Sequence, residues 1–220
     1  MTATQRPPPS DEAAELEAIG GALGLALSAA QVNALQRYLD LLERWNGAYN
    51  LTAVRERASM VTQHLADCMA IVPALRRRVT GSRLLDVGSG AGLPGIVIAA
   101  LCPAFDVTCV DAVGKKAAFV RQVAGALPLP NLQAVHSRIE ALRAPPFDVI
   151  TSRAFASLAT FTTLTRAYLA PGGLWLAMKG RVPDEELVAL PQGIEVFHVE
   201  QLDVPGLAAQ RCLVWLRDTR

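Results

Sequence analysis

The chain has 220 residues, of which 51% are hydrophobic, 19% charged and 5% aromatic; a chain of this size buries roughly 70% of its unfolded surface, which rules out disorder of the bulk and any need for a disulfide or metal staple. With 21 basic and 20 acidic residues the formal net charge is +1, so a nucleic-acid partner would have to be held by charge gathered locally. No apolar run approaches the roughly 18 residues of a membrane span, and the scattered Cys68, Cys102, Cys109, Cys212, His64, His136 and His198 show no metal-ligand spacing, so a reduced, cytoplasmic, metal-free monomer is expected.

Residues 1–10, with Pro7-Pro8-Pro9, are polar and rich in breakers, and are expected to form a disordered N-terminus rather than a signal peptide. Residues 11–79 read as a helical N-terminal cap. Ser10 precedes an Ala/Glu/Leu stretch expected to end at Gly20-Gly21. Ser28-Ala29-Ala30-Gln31 fits a capping box, in which hydroxyl and amide satisfy two orphan donors. Val32, Leu35, Leu39, Leu42 and Trp45 then recur at three- and four-residue steps, and Asn46-Gly47 is expected to end that helix. A further helix is expected over 56–75, with Met60, Val61, Leu65, Cys68, Met69 and Val72 on one side. Arg76-Arg77-Arg78 fall in its last turn, where cations suit the helix dipole.

In residues 80–220 the rhythm changes to short strands alternating with helices. Strands are expected at 83–87, 106–111, 132–136, 148–151, 174–178, 195–200 and 212–216, and helices at 94–101, 115–127, 158–169 and 183–190. This order implies a mostly parallel seven-stranded sheet covered on both faces, an α/β Rossmann-like domain. The last two strands lack a helix between them and suit an antiparallel hairpin.

The strongest local signal is Asp86-Val87-Gly88-Ser89-Gly90-Ala91-Gly92-Leu93-Pro94-Gly95, a strand running through a glycine turn into a helix. Glycines let backbone approach a ligand, and the helix start favours an anionic group. Asp111 closes the next strand, where a carboxylate accepts hydrogen bonds from ribose hydroxyls. Together they describe an adenosine-containing cofactor. Gly90-x-Gly92-x-x-Gly95 satisfies the dinucleotide fingerprint. Asp86-x-Gly88-x-Gly90-x-Gly92 satisfies that of S-adenosylmethionine enzymes, whose strand acid helps hold the methionine amino group. The second register fits better, because the first leaves Gly88-Ser89 without a purpose.

Basic residues follow the strands: Lys115-Lys116 the second, Arg138 the third, Arg153 the fourth, Lys179 and Arg181 the fifth. In an open parallel sheet these ends share the ligand-binding edge, so a nearly neutral chain places cations along one rim, as a polyanionic substrate requires. Arg76-Arg77-Arg78 would extend that patch or merely be solvated. No Asp/Asn-Pro-Pro-aromatic segment follows the fourth strand, which argues against an exocyclic amine as acceptor, and no Pro-Cys nucleophile lies near that edge.

Further segments carry a resemblance: Trp45-Asn46-x-Ala48-Tyr49-Asn50-Leu51-Thr52, His64-x-x-Asp67, Leu93-Pro94-Gly95 after the glycine loop, Gly114-Lys115-Lys116, Ser137-Arg138-x-Glu140, Ser152-Arg153-Ala154-Phe155-Ala156 and Lys179-Gly180. With these the chain resembles the bacterial small-subunit (16S) ribosomal RNA guanine-N7 methyltransferases, the glucose-inhibited division protein B family. The resemblance implies a class I S-adenosylmethionine-dependent methyltransferase fold and 16S ribosomal RNA as partner, within the small subunit or an assembly intermediate. It implies that Gly88 and Leu93 line the cofactor, that Ile139 and Glu140 flank its adenine, and that Arg153 lies where cofactor and substrate meet. Asp86, Gly90 and Asp111 complete the expected cofactor set. Lys115, Lys116, Arg138, Lys179 and His64 are the expected RNA contacts.

Each of these positions also has a plainer reading. Asn50 would touch the target base or simply form a turn. His64 and Asp67, three apart on a helix, would orient substrate or make a structural hydrogen bond. Trp45 and Tyr49 would stack on a base or pack. Because guanine N7 has a lone pair and no proton, methylation there needs alignment rather than a general base. Arg138, Arg153 and Asn50 are therefore expected as positioning groups.

Overall fold

The structure, a computed structural model, describes residues 11–220; the expected disordered N-terminus lies outside the described residues. Two long helices come first, α1 (Asp11–Ala22) and α2 (Ala29–Tyr49). Gly20 does not end α1. It sits inside the helix, where a side chain would meet the carbonyl of Leu25 at 2.9 Å, and the chain turns at Gly24 with φ +69°. The capping box of α2 is formed by Ser28 and Gln31 as expected.

Asn46-Gly47 does not end α2 either. Asn46 is buried, its amide donating to the Val54 carbonyl at 3.2 Å and its oxygen accepting from Thr52 N–H at 2.9 Å. The side chain ties the following turn to the helix, which runs three residues further to a left-handed Asn50 cap (φ 49°). The expected helix over 56–75 is broken into α3 (Arg57–Met60), a π-helical turn (Val61–Ala66), α4 (Asp67–Met69) and α5 (Val72–Arg78). Arg57 binds the cap together, reaching Glu12 at 2.6 Å and Asp40 and Glu43 at 2.7 Å.

The sheet follows: β1 (Arg83–Val87), α6 (Gly95–Leu101), β2 (Asp106–Asp111), α7 (Gly114–Ala126), β3 (Leu132–His136), β4 (Phe147–Arg153), α8 (Leu158–Thr165), β5 (Leu169–Lys179), α9 (Asp184–Val188), β6 (Ile194–Leu202) and β7 (Arg211–Asp218). Seven strands lie in the order β3-β2-β1-β4-β5-β7-β6. The first five are parallel, and β7 runs antiparallel to both β5 and β6, the expected hairpin. The reversal of strand order beside β1 opens a crevice at the carboxyl edge.

One continuous apolar cluster joins Leu35, Leu39 and Leu42 of α2 with Leu65, Met69 and Leu75, with Val97 and Leu101 of α6, and with Phe119 of α7. A second cluster fills the opposite face, between Leu85, Val87, Ile150, Phe161 and Trp175. The cap therefore shares its core with one face of the sheet, and the π turn lies against the carboxyl edge. Among the described residues no helix is long and apolar enough to cross a membrane.

Candidate active site

The turn from β1 to α6 is braced from every side. Gly88, Gly90 and Gly92 have φ of +65°, +59° and +81°, values that glycine adopts without penalty. A Cβ on Gly88 would also lie 2.5 Å from the Phe155 ring, so this ring fills the space of the missing side chain. Asp111, at the end of β2, accepts from Gly90 N–H at 2.9 Å and from Val113 N–H at 2.8 Å. Tyr38, fully buried on α2, donates its hydroxyl to the Ala91 carbonyl at 3.0 Å. Asp86 lies beneath the turn with no solvent exposure. Its Oδ2 accepts from Gly95 N–H at 2.8 Å, whereas Oδ1 has no partner, and burial pushes its carboxyl up to about 7. The buried hydroxyl of Ser89 is also unpartnered.

Beside the turn opens a cavity of about 600 Å³ with walls from three parts of the chain. The glycine turn supplies one, Thr52, His64 and Asp67 of the cap another, and Arg153, Lys179 and Arg211 at strand ends the third; Lys116 stands at the start of α7. Asp67 is buried and holds two arginines, Arg153 at 3.2 Å and Arg211 at 2.8 Å. Arg153 also donates to the Gln63 carbonyl at 3.1 Å. His64 Nε2 and Thr52 Oγ1 share a hydrogen bond of 2.8 Å, while Nδ1 is unpartnered. Burial, reinforced by the Arg153 charge, holds this imidazole below its ordinary pKa and hence neutral. The π turn places His64, and Asp67 directly after it, on this wall, a wide-turn insertion of the kind found at functional sites.

Of the residues expected from sequence, Gly88, Gly90, Leu93, His64, Lys116, Arg153 and Lys179 come together in the cavity. Others do not. Asn50 is the exposed cap of α2 and its side chain accepts from Arg55 at 2.8 Å, a turn former rather than a wall of the cavity. Asp86 and Asp111 brace the glycine turn from below and beside it. Ile139 is buried, and its carbonyl accepts the Tyr168 hydroxyl at 2.7 Å; Glu140 and Arg138 are exposed beyond the cavity. Lys115 donates to the Tyr49 carbonyl at the end of α2 at 2.7 Å.

The rim is less cationic than expected, because Lys179 is paired with Glu186 at 2.8 Å. Arg76 donates to the Leu101 carbonyl, and Arg77 and Arg78 reach Glu200, so none of the three extends the patch. His64 and Asp67 are not bonded to one another, each having its own partners. Trp45 packs on Phe119, with ring centroids 5.6 Å apart. Arg211 was missed. The signal for it was the expected hairpin: a strand antiparallel to β5 starts at the carboxyl edge, and Cys212 pairs with Lys179 there.

This sheet order, with a glycine turn after β1 and an acid ending β2, is that of the class I methyltransferases. Solved structures agree: the glycopeptide N-methyltransferase MtfA complexed with S-adenosylmethionine superposes with a TM-score of 0.57 at 14% identity, covering 67% of this chain and 85% of that one. The N-methyltransferase NodS from Bradyrhizobium japonicum, in complex with S-adenosylhomocysteine, gives 0.54 at 16% identity over 83% and 98%. In sequence, the GidB family, described as rRNA small subunit methyltransferase G, matches residues 31–214. The ribosomal RNA small subunit methyltransferase G of Methylibium petroleiphilum is 60% identical over 91% of this chain and 92% of its own, and that of Acidovorax sp. JS42 is 57% identical over 89% and 91%. The chain belongs to the rRNA small subunit methyltransferase G family.

Proposed function

We propose that this protein transfers a methyl group from S-adenosylmethionine to N7 of a guanine in 16S ribosomal RNA, by direct in-line attack without a general base. The observation that carries the reading is the state of the titratable groups in the cavity. Lys116, Arg153, Lys179 and Arg211 line the cavity, in which Asp67, held by two of these arginines, is the one carboxylate among the described lining residues, and His64 is kept neutral with Nε2 engaged by Thr52. Because that carboxylate is already bound by two arginines, no free carboxylate is at hand to take a proton, and the pH profile of the reaction tests whether His64 does. An exocyclic amine or a hydroxyl must lose a proton; guanine N7 has none to lose.

The residues present fit the methyl donor. The cavity lies in the range of ligand sites, the glycine turn leaves backbone free for close approach, and Asp86 holds an unpartnered carboxylate oxygen beneath it, suited to an ammonium group. The donor supplies an electrophilic methyl on a sulfonium. Asp111 keeps lone pairs for ribose hydroxyls while bracing Gly90. Alignment of N7 is then the catalytic task. The methylated ring is positive, so Arg153 and Arg211 hold a phosphate or the O6 edge, not N7. The family supports small-subunit ribosomal RNA as substrate; we read the acceptor as RNA within the subunit or an assembly intermediate, and the enzyme as a cytoplasmic monomer.

The test is methyl incorporation into small-subunit RNA from a strain lacking this gene, followed by mapping of the modified base. A single N7-methylguanine is expected. Methylation at an exocyclic amine or at a pyrimidine carbon would overturn the reading.

A further inference from the structure

The connection from β4 to α8 is held by a carboxylate far along the chain. Lys179 Nζ donates to both carboxylate oxygens of Glu186, at 2.9 and 2.8 Å, and to the Ala156 carbonyl at 3.2 Å. Oε2 of Glu186 also accepts the N–H of Leu158, the first residue of α8, at 2.6 Å. Ser157 caps the same helix through Thr160 N–H. These grips fall on Ala156, Ser157 and Leu158, where the connection 154–157 enters α8. There Phe155 lies on Gly88, and Ala154, a wall of the cavity, has φ +58°. That conformation costs a non-glycine residue free energy and persists only where the surroundings hold it.

We propose that Glu186 is a positioning residue for methyl transfer: it fixes the 154–157 connection against the glycine turn and, by pairing with Lys179, withholds that lysine's charge from the RNA. The proposal rests on the cavity being the methyl-transfer site. The side chains of Lys179 and Glu186 are 18% and 31% exposed, so their bonds are charge-assisted and partly desolvated. An anion at the start of α8 is further favoured by the helix dipole. Loss of Glu186 then has two opposed effects. The connection loosens, and Arg153 and Phe155 lose their alignment, which slows transfer. Lys179 is released, which adds a phosphate contact and tightens RNA binding.

The experiment uses the full-length Glu186→Ala and Glu186→Gln proteins. Single-turnover methylation of small-subunit RNA at saturating donor, donor affinity by calorimetry, and RNA affinity across a salt series are measured for each. Glu186→Ala is expected to slow transfer on the order of ten- to a hundredfold. Its slope of log K against log salt steepens by about 0.7–0.9, one phosphate contact. Glu186→Gln keeps an acceptor for Leu158 N–H but loses the charge, so it regains most of the rate lost in Glu186→Ala and retains the steeper slope. A folded Glu186→Ala protein with unchanged rate and slope overturns the proposal. So does a loss of rate and donor affinity together, without a steeper slope, which marks a merely structural role. A wild type that binds donor but does not methylate this RNA sinks the functional reading instead, and the salt slope, which needs no turnover, still decides whether Glu186 masks Lys179.

Discussion

At the scale of single residues, the site is governed by where charge is buried. Asp86 has no exposed surface and one unpartnered oxygen, and its carboxyl is raised from 3.8 to about 7. A raised folded-state pKa means that the native protein binds the proton more tightly than the unfolded chain. The resulting stability is present in full below the ordinary aspartate value and is lost as pH rises through about 7. In thermal melts without donor, Asp86→Asn should therefore gain on the wild type as pH rises across that window; a constant difference in Tm would show that Asp86 is ionised throughout. Asp111→Ala should weaken donor binding by about 1.5–3 kcal/mol if its free lone pairs take a ribose hydroxyl, and unchanged calorimetric affinity in a folded variant would refute that role. His64 gives the opposite kind of expectation. With its pKa held below the ordinary value it does not change protonation state above neutrality, and N7 needs no base, so the single-turnover rate at saturating donor should be nearly flat over roughly pH 6.5–9. A rate that rises with a histidine-like pKa and loses that rise in His64→Ala would make His64 a catalytic base.

At the scale of elements, legibility followed the local punctuation of the chain. The strands β1, β2 and β3 were readable to the residue, because short apolar runs ending in glycine, aspartate or histidine leave little choice of boundary. The extension of β5 back to Leu169 was not. Pro171-Gly172-Gly173 reads as a loop, yet Leu169 pairs with Phe147 before a register shift to Val149 and Leu174, an irregularity in which breakers are tolerated. The π turn was equally hidden, since the apolar spacing of Met60, Val61, Leu65, Cys68 and Met69 does not reveal one widened turn. Asn46 was misread because a stop signal and a buried brace use the same residue type. Most of the glycine turn and the cavity cations were legible, but which cation is free was not, because pairing partners such as Glu186 and Asp67 are set by tertiary packing. This separates Lys115 from Lys116. Lys116 lines the cavity and its ammonium makes no hydrogen bond or ion pair among the described residues, while the Lys115 ammonium holds the end of α2. Lys116→Ala should lower the salt slope of RNA binding by about 0.7–0.9, and Lys115→Ala should leave it nearly unchanged. Equal slopes for both variants would mean that the Lys115–Tyr49 contact gives way to RNA.

At the scale of the molecule, the cap and the sheet are bound to rise or fall together. Leu35, Leu39 and Leu42 share one apolar cluster with Val97, Phe119 and Trp215, with no solvated boundary between the helical and the sheet halves of the chain. Trp45 lies on Phe119 at the junction, and Trp215 lies in β7 on the far side of the same cluster. The site depends on this union, because Thr52, His64 and Asp67 are cap residues and Asp67 anchors both Arg153 and Arg211. Undocking the cap would leave two half-buried arginines without their carboxylate and remove a wall of the cavity. In a protein carrying Trp45 as its single tryptophan, fluorescence and far-ultraviolet circular dichroism should therefore report the same urea midpoint, as a two-state unit does. A lower midpoint reported by Trp45 would mean that the cap separates first, so that the cavity opens while the sheet still stands and the substrate wall is a detachable part of the enzyme.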